Sequence, residues 1–456
     1  MQDDTIAAIA TPLGEGGLAV IRISGPQALA VADRCFAPSG QSSPLPSAAT
    51  THTIHFGHVV RDGQHVDEAL LAVMRAPRTF TSEDVVEITC HGGILPSKMV
   101  LDAALANGAR LAEPGEFTRR AFLNGRIDLA QAEAVADLIH SRTELALRAA
   151  NEQLAGKLSQ RINKLRDEML DTLAHVEAHI DFPEEDIAPD TRDQLTSRLE
   201  HGVAFMDELL RTANEGQVLR RGIRAAIIGR PNAGKSSLLN QLLGRDRAIV
   251  SAIPGTTRDT IEETANIRGL PVVFVDTAGL CVARDELEAE GVRRSRQTLQ
   301  QAEFILHVFD AAEPLTSADE NYLTEFADKK RILVRNKVDL PARLQLPSAL
   351  KVPVVEVCCL TGQGIEPLKD AIKELTWSGE IKAEMLQVMI NSRHQDALNR
   401  ARAATLRTLD ALRADQPLEL VALDLRIAVH AVGEIVGQTT TEDLLDLIFS
   451  QFCIGK

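Results

Sequence analysis

Hydrophobic and polar positions change period repeatedly along this chain of 456 residues. Up to about residue 120, short alternating runs such as Leu18-Ala-Val-Ile-Arg-Ile-Ser24 lie between glycine and proline turns, with a Ser/Pro-rich loop near Gly40 to Pro46. Period-2 runs punctuated this way predict a domain of α+β type. From Leu129 to about Gly216 glycine and proline thin out, and Leu138, Leu145, Leu154, Leu158, Ile162, Leu165 and Leu173 recur at helical spacings. Long helices are predicted there. Asp181-Phe-Pro-Glu-Glu-Asp186 interrupts them, and a proline among clustered acids reads as a solvated corner rather than a metal site. Apolar runs of strand length then follow at Ile223 to Ile228 and Val272 to Val275, with a third, Arg331-Ile-Leu-Val-Arg335, after them. Beyond Glu374 the helical pattern returns, with Leu398, Ala401, Leu409 and Leu412 on one stripe beside Leu406. A strand-bearing domain thus interrupts a helical one, and the boundaries read as 1–122, 123–218, 219–376 and 377–456.

The strand at Ile223 runs directly into Gly229-Arg-Pro-Asn-Ala-Gly-Lys-Ser236, which completes the G-x-x-x-x-G-K-S pattern, and Ser237 opens an apolar helical run. In such a loop the glycines let backbone NH groups turn toward phosphate, a lysine (Lys235) reaches the β and γ phosphates, and a serine (Ser236) ligates magnesium. Asn232, Ala233, Gly234 and Ser237 complete the expected cradle, and the positive end of the helix faces the anion. After the second strand comes Asp276-Thr-Ala-Gly279, where the carboxylate serves the magnesium shell and Thr277, Ala278 and Gly279 the γ phosphate. After the third comes Asn336-Lys337-Val-Asp339; the Asp339 carboxylate can accept from both N1 and N2 of guanine, a pair of donors that adenine lacks. Thr257, in Gly255-Thr256-Thr257, is placed to complete the magnesium sphere. Order and spacing fit one GTPase domain with a doubly wound sheet.

The position just after Asp276-Thr-Ala-Gly279 is Leu280, which cannot orient water as a glutamine there does. Two features offer a substitute. Asn232 lies inside the phosphate loop, and Ser251, Ala252, Ile253, Pro254, Gly255 and Thr256 can arrange oxygens around a monovalent cation; potassium ligated by Asn232, Ser251, Ile253 and Thr256 would stand where an arginine finger stands elsewhere. A plain turn role for Asn232 is equally compatible with its residue type.

Composition changes the picture little. Hydrophobic residues make up 45% of the chain, enough for separate cores. No apolar run approaches the roughly 18 residues of a membrane span, and Asp3 and Asp4 stand where a basic leader would need positive charge. The six cysteines show no metal-like pairing beyond adjacent Cys358 and Cys359, which points to a reduced, cytoplasmic protein. A net charge of -15 confines nucleic-acid contact to local basic patches or to a partner.

Over its whole length the chain resembles the MnmE (TrmE) family of tRNA modification GTPases. Around the GTPase motifs, the resemblance is carried by Asp4-Thr-Ile-Ala-Ala-Ile-Ala-Thr-Pro12, Ile21-Arg-Ile-Ser-Gly25, Phe80-Thr-Ser-Glu-Asp-Val-Val-Glu87, His91-Gly-Gly93, Pro114-Gly-Glu-Phe-Thr-Arg-Arg-Ala-Phe-Leu-Asn124, Asp128-Leu-Ala-Gln-Ala-Glu-Ala134 and Phe452-Cys-Ile-Gly-Lys456. It implies an N-terminal domain that dimerises and binds a 5-formyltetrahydrofolate-like molecule, a discontinuous helical domain, and an inserted GTPase domain. The implied activity is modification of the wobble uridine of certain tRNAs at carbon 5, with a flavin-dependent partner, MnmG (GidA). Residue by residue, the resemblance makes Arg22, Glu87, Arg126 and Lys456 folate contacts, Cys453 a participant in the modification chemistry, and Glu288 the acid that orients water. Arg22 and Glu87 also fit a strand-end ion pair, Cys453 a merely structural thiol, and Glu288 a solvated helix start beside Glu286 and Glu290.

Arg126 stands where the family often has lysine, Cys281 where a basic residue is common, and Cys358-Cys359-Leu360 where Ser-Ala-Arg or Ser-Ala-Lys supports the base. The NH after Cys358 is expected to meet the guanine oxygen, with little from the side chains of that loop. A ribosome-assembly GTPase is the competing reading, but such factors append a compact basic RNA-binding module, and the tail after Glu374 is helical and of mixed charge. Glu288→Ala is expected to cut GTP turnover strongly while leaving nucleotide affinity nearly intact, in a paired measurement of steady-state hydrolysis and nucleotide titration; unchanged turnover removes Glu288 from the mechanism.

Overall fold

The structure is a computed structural model and describes residues 4–40, 43–181, 190–244, 262–275, 299–347, 350–377 and 386–456. The chain divides into two compact units: Met1–Ala136, Gln153–Val203 and Ala397–Lys456 form the first, and Asp137–Glu152 with Ala204–Asp396 the second.

Seven strands open the first unit: β1 (Ile6–Ile9), β2 (Leu18–Ser24), β3 (Phe36–Pro38), β4 (Thr53–Arg61), β5 (Gln64–Met74), β6 (Val85–His91) and β7 (Arg110–Leu111). They form one sheet in the order β3-β4-β5-β6-β2-β1-β7, in which β1 and β7 pair in parallel and the other neighbours are antiparallel. The alternation seen in Leu18–Ser24 works out as β2: Ile21 and Ile23 are buried on one face with Leu71, Val73, Val86 and Ile88. On that face lie α1 (Ala28–Cys35) and α2 (Ile94–Ala106), which contribute Val31, Ala32, Val100 and Ala103 to the same core. The opposite face carries Arg22 and Glu87, paired across β2 and β6, and exposed apolar side chains that include Ile54, Phe56 and Leu70.

The N-terminal motifs converge on a buried charge network. Arg120, on α3 (Glu116–Leu123) and only 2% exposed, donates to the Asp4 carbonyl at 2.9 Å, to the Asp4 carboxylate at 2.8 Å, to Glu83 at 3.2 Å and to Glu116 at 2.9 Å. Burial alone would raise the Glu116 pKa, but hydrogen bonds from Arg110, the Glu113 backbone NH and Arg120 outweigh it and hold it below its usual value. A reciprocal capping box follows, in which Gln131 NH donates to Asp128 Oδ1 at 2.9 Å and Asp128 NH to Gln131 Oε1 at 3.0 Å, opening α4 (Leu129–His140).

Helices α5 (Glu144–Leu154), α6 (Lys157–Asp181), α7 (Asp190–Arg211) and α8 (Ala213–Arg221) follow. On α6 the predicted stripe of Leu158, Ile162, Leu165 and Leu173 is buried. The second unit holds β8 (Ile223–Ile228), α9 (Lys235–Leu243), β9 (Glu262–Ile267), β10 (Leu270–Val275), β11 (Phe304–Asp310), α10 (Ser317–Glu325), β12 (Lys330–Asn336), β13 (Val354–Glu356) and α11 (Ile365–Thr376). Its sheet runs β13-β12-β11-β8-β10-β9, parallel except for the pairing of β9 with β10. Leu238, Leu242, Leu368 and Ile372 cover one face, and Tyr322 and Leu323 lie in smaller clusters with Ile305 and Phe309. Returning to the first unit, α12 (Ser392–Arg413) continues as α13 (Leu418–Val436) and α14 (Glu442–Phe449). The predicted stripe of Leu398, Ala401, Leu409 and Leu412 is buried, as is most of α13, which packs along α6. On α14, Leu445, Ile448 and Phe449 join Phe452, Leu129 and Ala132 in one cluster, and beyond it the NH of Phe117 donates to the Lys456 carbonyl at 3.2 Å.

Two core side chains lend themselves to test. Arg120→Met leaves Glu116, 4% exposed, without one of its two guanidinium partners, and breaking a buried pair from one side costs about 3–5 kcal/mol. An early loss of the first unit in chemical denaturation is the expected result, and a midpoint equal to that of the unsubstituted protein would contradict it. His307, fully buried on β11, has no hydrogen-bond partner at either ring nitrogen among the described residues. Burial, with Arg331 beside it, pushes its pKa down from 6.5 to about 3. The unfolded chain therefore binds a proton that the native one refuses, so stability is lost as pH falls from about 6.5 toward 3. Between pH 7 and pH 5 this amounts to about 2 kcal/mol. His307→Leu should flatten that part of the pH dependence of thermal unfolding; an unchanged slope would assign the acid sensitivity elsewhere.

Candidate nucleotide site and the arginine cluster of the N-terminal domain

Strand β8 is flanked in the sheet by β10 on one side and β11 on the other. Its C-terminal end is therefore the point at which successive connections diverge, which is where open parallel sheets bind ligands. Gly229 follows immediately, at φ 147°, and a Cβ there would lie 2.2 Å from the Val308 carbonyl oxygen. Helix α9 starts at Lys235, with Gly234 in the left-handed region at φ 99°. Lys235 Nζ donates to the carbonyls of Gly229 and Arg230, both at 2.9 Å, and so arches over the loop that it closes. Asn232 is exposed and left-handed at φ 63°, a conformation that asparagine tolerates better than most residues.

Around this loop lies a cavity of about 530 Å³ lined by Asn232, Gly234, Lys235, Ser236, Ser237, Asn336, Lys337, Asp339, Cys358, Cys359 and Leu360. These predicted positions come from three separate stretches of the chain, at 232–237, 336–339 and 358–360, the first two brought together because β8 and β12 both flank β11. Ala233 is buried, and its carbonyl accepts from Asn336 Nδ2 at 2.9 Å. The other oxygen-bearing end of that amide is also used: the Cys359 NH, expected to face guanine, donates instead to Asn336 Oδ1 at 3.2 Å. Lys337 reaches back to Asp310 at 2.7 Å. Burial would raise the Asp310 pKa, yet the Lys337 ammonium and the Ala312 NH hold it below its usual value. Cys358 donates its thiol to Asp339 Oδ1 at 3.2 Å, whereas burial pushes the neighbouring Cys359 thiol up to about 11. Ser251 to Thr257, Asp276 to Gly279 and Glu288 lie outside the described residues, so the cation ligands, the γ-phosphate contacts and the water-orienting acid remain expectations from the sequence.

Two residues that tie the site together carry no motif signal. Asp310 ends an apolar strand, which a reader of strand-end carboxylates could have marked. Gln241 donates to the Cys359 carbonyl at 2.8 Å from 118 positions away, and nothing local announces it.

In the first unit the positions expected to contact folate also meet. Arg22 and Glu87 form an ion pair at 2.7 Å, as the strand-end alternative anticipated. The same guanidinium lies 5.8 Å from the Phe80 ring centroid and 5.6 Å from that of Phe117, and it points to the Gly455 carbonyl at 3.5 Å. Arg126 lies 5.1 Å from the Phe80 ring and donates to the Phe80 carbonyl at 2.8 Å. Lys456 ends the tail next to Gly455, and its carbonyl is held by Phe117. Cys453 is exposed, with its carbonyl taken by Gly115 and Lys456. Among the described residues there is no cluster of three or more histidine, cysteine or acidic side chains able to hold a metal, and no helix long and apolar enough to cross a membrane.

Comparison with known proteins accords with this geometry. The profile described as the GTP-binding protein TrmE N-terminus matches residues 5–126, and that of the MnmE helical domain matches residues 129–453. The tRNA modification GTPase MnmE of Geobacillus kaustophilus is 49% identical over 462 aligned residues, covering 99% of both chains. That of Listeria welshimeri is 47% identical over the full length of both, and that of Bacillus subtilis 45% over 99% of this chain and all of its own. Among solved structures, Aquifex aeolicus Era bound to GDP and AlF4- shares 29% identity over 40% of this chain and 66% of its own, at a TM-score of 0.28; the assignment rests on the full-length relatives. With a TrmE-type N-terminal domain, a discontinuous helical domain and an inserted P-loop GTPase domain, this chain belongs to the MnmE (TrmE) family of tRNA modification GTPases.

Proposed function

We propose that this GTPase couples hydrolysis of GTP to the addition of an aminomethyl or carboxymethylaminomethyl group at carbon 5 of the wobble uridine of certain tRNAs, with a flavin-dependent partner of the MnmG (GidA) type. The observation that carries the proposal is the presence in one chain of two separate built sites. One is the cavity of about 530 Å³ at the switch point of the GTPase sheet. The other is the cluster of Arg22, Glu87, Arg126, Phe80 and Phe117, with the C-terminal tail fastened beside it.

In the first, Asp339 reads N1 and N2 of guanine, the loop at Asn232 to Ser237 wraps the phosphates, and Lys235 swings from its two carbonyls to the β and γ oxygens. Ser236 and Thr257 would hold magnesium, which would supply charge neutralisation at the phosphates, and Asn232, Ser251, Ile253 and Thr256 would hold potassium, which would supply the positive charge that an arginine finger gives elsewhere. Glu288 then orients water, since Leu280 cannot. In the second site the aromatic faces of Phe80 and Phe117, the two guanidinium groups and the Glu87 acceptor suit a flat heterocycle with an anionic tail, the chemistry of a one-carbon folate. Exposed Ile54, Phe56 and Leu70 on the same open sheet face support a homodimer formed through the N-terminal domain. A reduced, cytoplasmic setting agrees with free cysteines at all five described positions.

The test is mass spectrometry of tRNA nucleosides from cells lacking the chain, with restoration by the intact protein or by Asp276→Asn. Aminomethyl-type wobble uridines should fall to background and return only with the intact protein. Unchanged nucleosides, with ribosomal subunits accumulating unjoined, would replace this reading with that of an assembly factor.

A further inference from the structure

The stretch Asp137–Glu152 stands in sequence among the helices that precede the GTPase domain, yet it belongs to the second unit. It contains the corner between α4 and α5, and that corner meets β9, the edge strand of the GTPase sheet. Ala146 of α5 is buried in the cluster that holds Ala265, Ile267 and Leu270. Arg142, just before α5, donates from Nη1 to Thr264 Oγ1 at 2.5 Å, and Thr264 is 1% exposed. Side chains alternate along a strand, so Thr264 points to the face opposite Ala265, and the corner is attached to both faces of β9. The turn of the β9–β10 hairpin is fixed separately. Arg268, left-handed at φ 54°, pairs with Asp370 at 2.6 Å and with Glu366 at 2.7 Å on α11, and Gly269 NH donates to Asn266 Oδ1 at 2.8 Å. Leu145 closes on the same turn, 3.7 Å from where a Cβ on Gly269 would stand. Behind the corner, Asp137 of α4 pairs with Arg220 of α8, the helix that leads into β8.

We propose that Arg142 is a positioning residue for GTP hydrolysis, acting through Thr264 to hold the β9–β10 hairpin and with it the strand ends that lead to the magnesium and γ-phosphate segments; this rests on the assignment of Thr257 and Asp276 to Gly279 to those roles. A hairpin held at its turn and at its middle has its remaining end set by the stiffness of two paired strands. That end is the register pair Glu262 and Val275. Asp276 is the next residue after Val275, and Thr257 precedes Glu262 by five positions. Strand β9 has a strand neighbour on one side only, so its ladder restrains it from that side alone. The apolar contact at Ala146 resists separation but has no preferred direction along the strand, whereas a guanidinium donating to a buried hydroxyl fixes direction as well as distance. The segments expected to hold the base and the diphosphate, Asn336 to Asp339 and Asn232 to Ser237, leave instead from β12 and β8. Chemistry at the γ phosphate therefore depends on the placement of this hairpin, and retention of a nucleoside diphosphate does not. Small misplacements of reacting groups are costly in rate.

The experiment measures GTP turnover at saturating nucleotide, GDP affinity and the thermal unfolding midpoint of the full chain, unsubstituted and as Arg142→Met, Arg142→Lys, Thr264→Val and the double variant of Arg142→Met with Thr264→Val. Arg142→Met is expected to slow turnover about tenfold while GDP affinity stays within about twofold. Arg142→Lys keeps a cationic donor and should recover much of the rate. Thr264→Val should match the methionine variant, and the double variant should be no slower than either single one, because both substitutions remove the same bond. A merely structural role would lower GDP affinity and the unfolding midpoint together with the rate. Unchanged turnover in Arg142→Met, a loss of GDP affinity equal to the loss of rate, or losses that multiply in the double variant overturns the proposal; should the methionine variant not fold, Thr264→Val and Arg142→Lys decide it by the same measurements. Failure of the underlying assignment shows differently, as an Asp276→Asn variant that turns over GTP as fast as the unsubstituted chain.

Discussion

One buried amide holds the nucleotide site together. Asn336 sits at the end of β12, 2% exposed, and its side chain spends its donor on the Ala233 carbonyl of the phosphate loop and its acceptor on the Cys359 NH of the base loop. The phosphate loop, the Asn336–Asp339 segment and the loop at Cys358–Leu360 come from three connections of the sheet, and this side chain links them. The close approach also explains Gly234, where a Cβ would stand 2.1 Å from Asn336 Nδ2. The asparagine of Asn336-Lys-Val-Asp339 is thus structural in this chain.

A comparable economy governs the N-terminal domain. Asp4, Glu83 and the α3 pair Glu116 and Arg120 come from three separate stretches of sequence and meet in one network around the buried pair. Their charges tie the start of the chain to the Phe80–Glu87 segment and to α3. That is the frame on which Arg22, Phe80, Phe117 and Arg126 are arranged. The C-terminal tail is fastened to the same frame through Gly115 and Phe117, so the last residues of the chain belong structurally to its first domain. The order of elements along the sequence hides this, because α14 follows the whole of the second unit.

Much of this was legible beforehand. Strict alternation in Leu18–Ser24 and apolar runs at Ile223, Val272 and Arg331 became β2, β8, β10 and β12, because a pleated strand with one buried face leaves that signature whatever surrounds it. The phosphate loop and Asn336 to Asp339 were readable because local spacing alone defines them. The roles of conspicuous residues were less legible. Arg120 and Glu116 stand in a family motif beside Arg126, and nothing in the linear string separates a buried structural pair from a ligand contact. The Cys359 NH was expected to meet guanine, but the competing acceptor, Asn336 Oδ1, lies 23 positions away. The side chain of Cys358 was expected to add little, and its thiol reaches Asp339.

Periodicity, glycine placement and motif spacing depend on neighbours within a turn or a strand, so the residues alone specified the elements, the GTPase chemistry and the family. Which polar groups face each other depends on crossovers between strands far apart in sequence. Only the folded chain could pair Gln241 with Cys359, Cys358 with Asp339 and Arg22 with Gly455. A hydrogen bond needs its partners within about 3 Å, and a distance of that size between distant residues is set by packing rather than by the order of the residues.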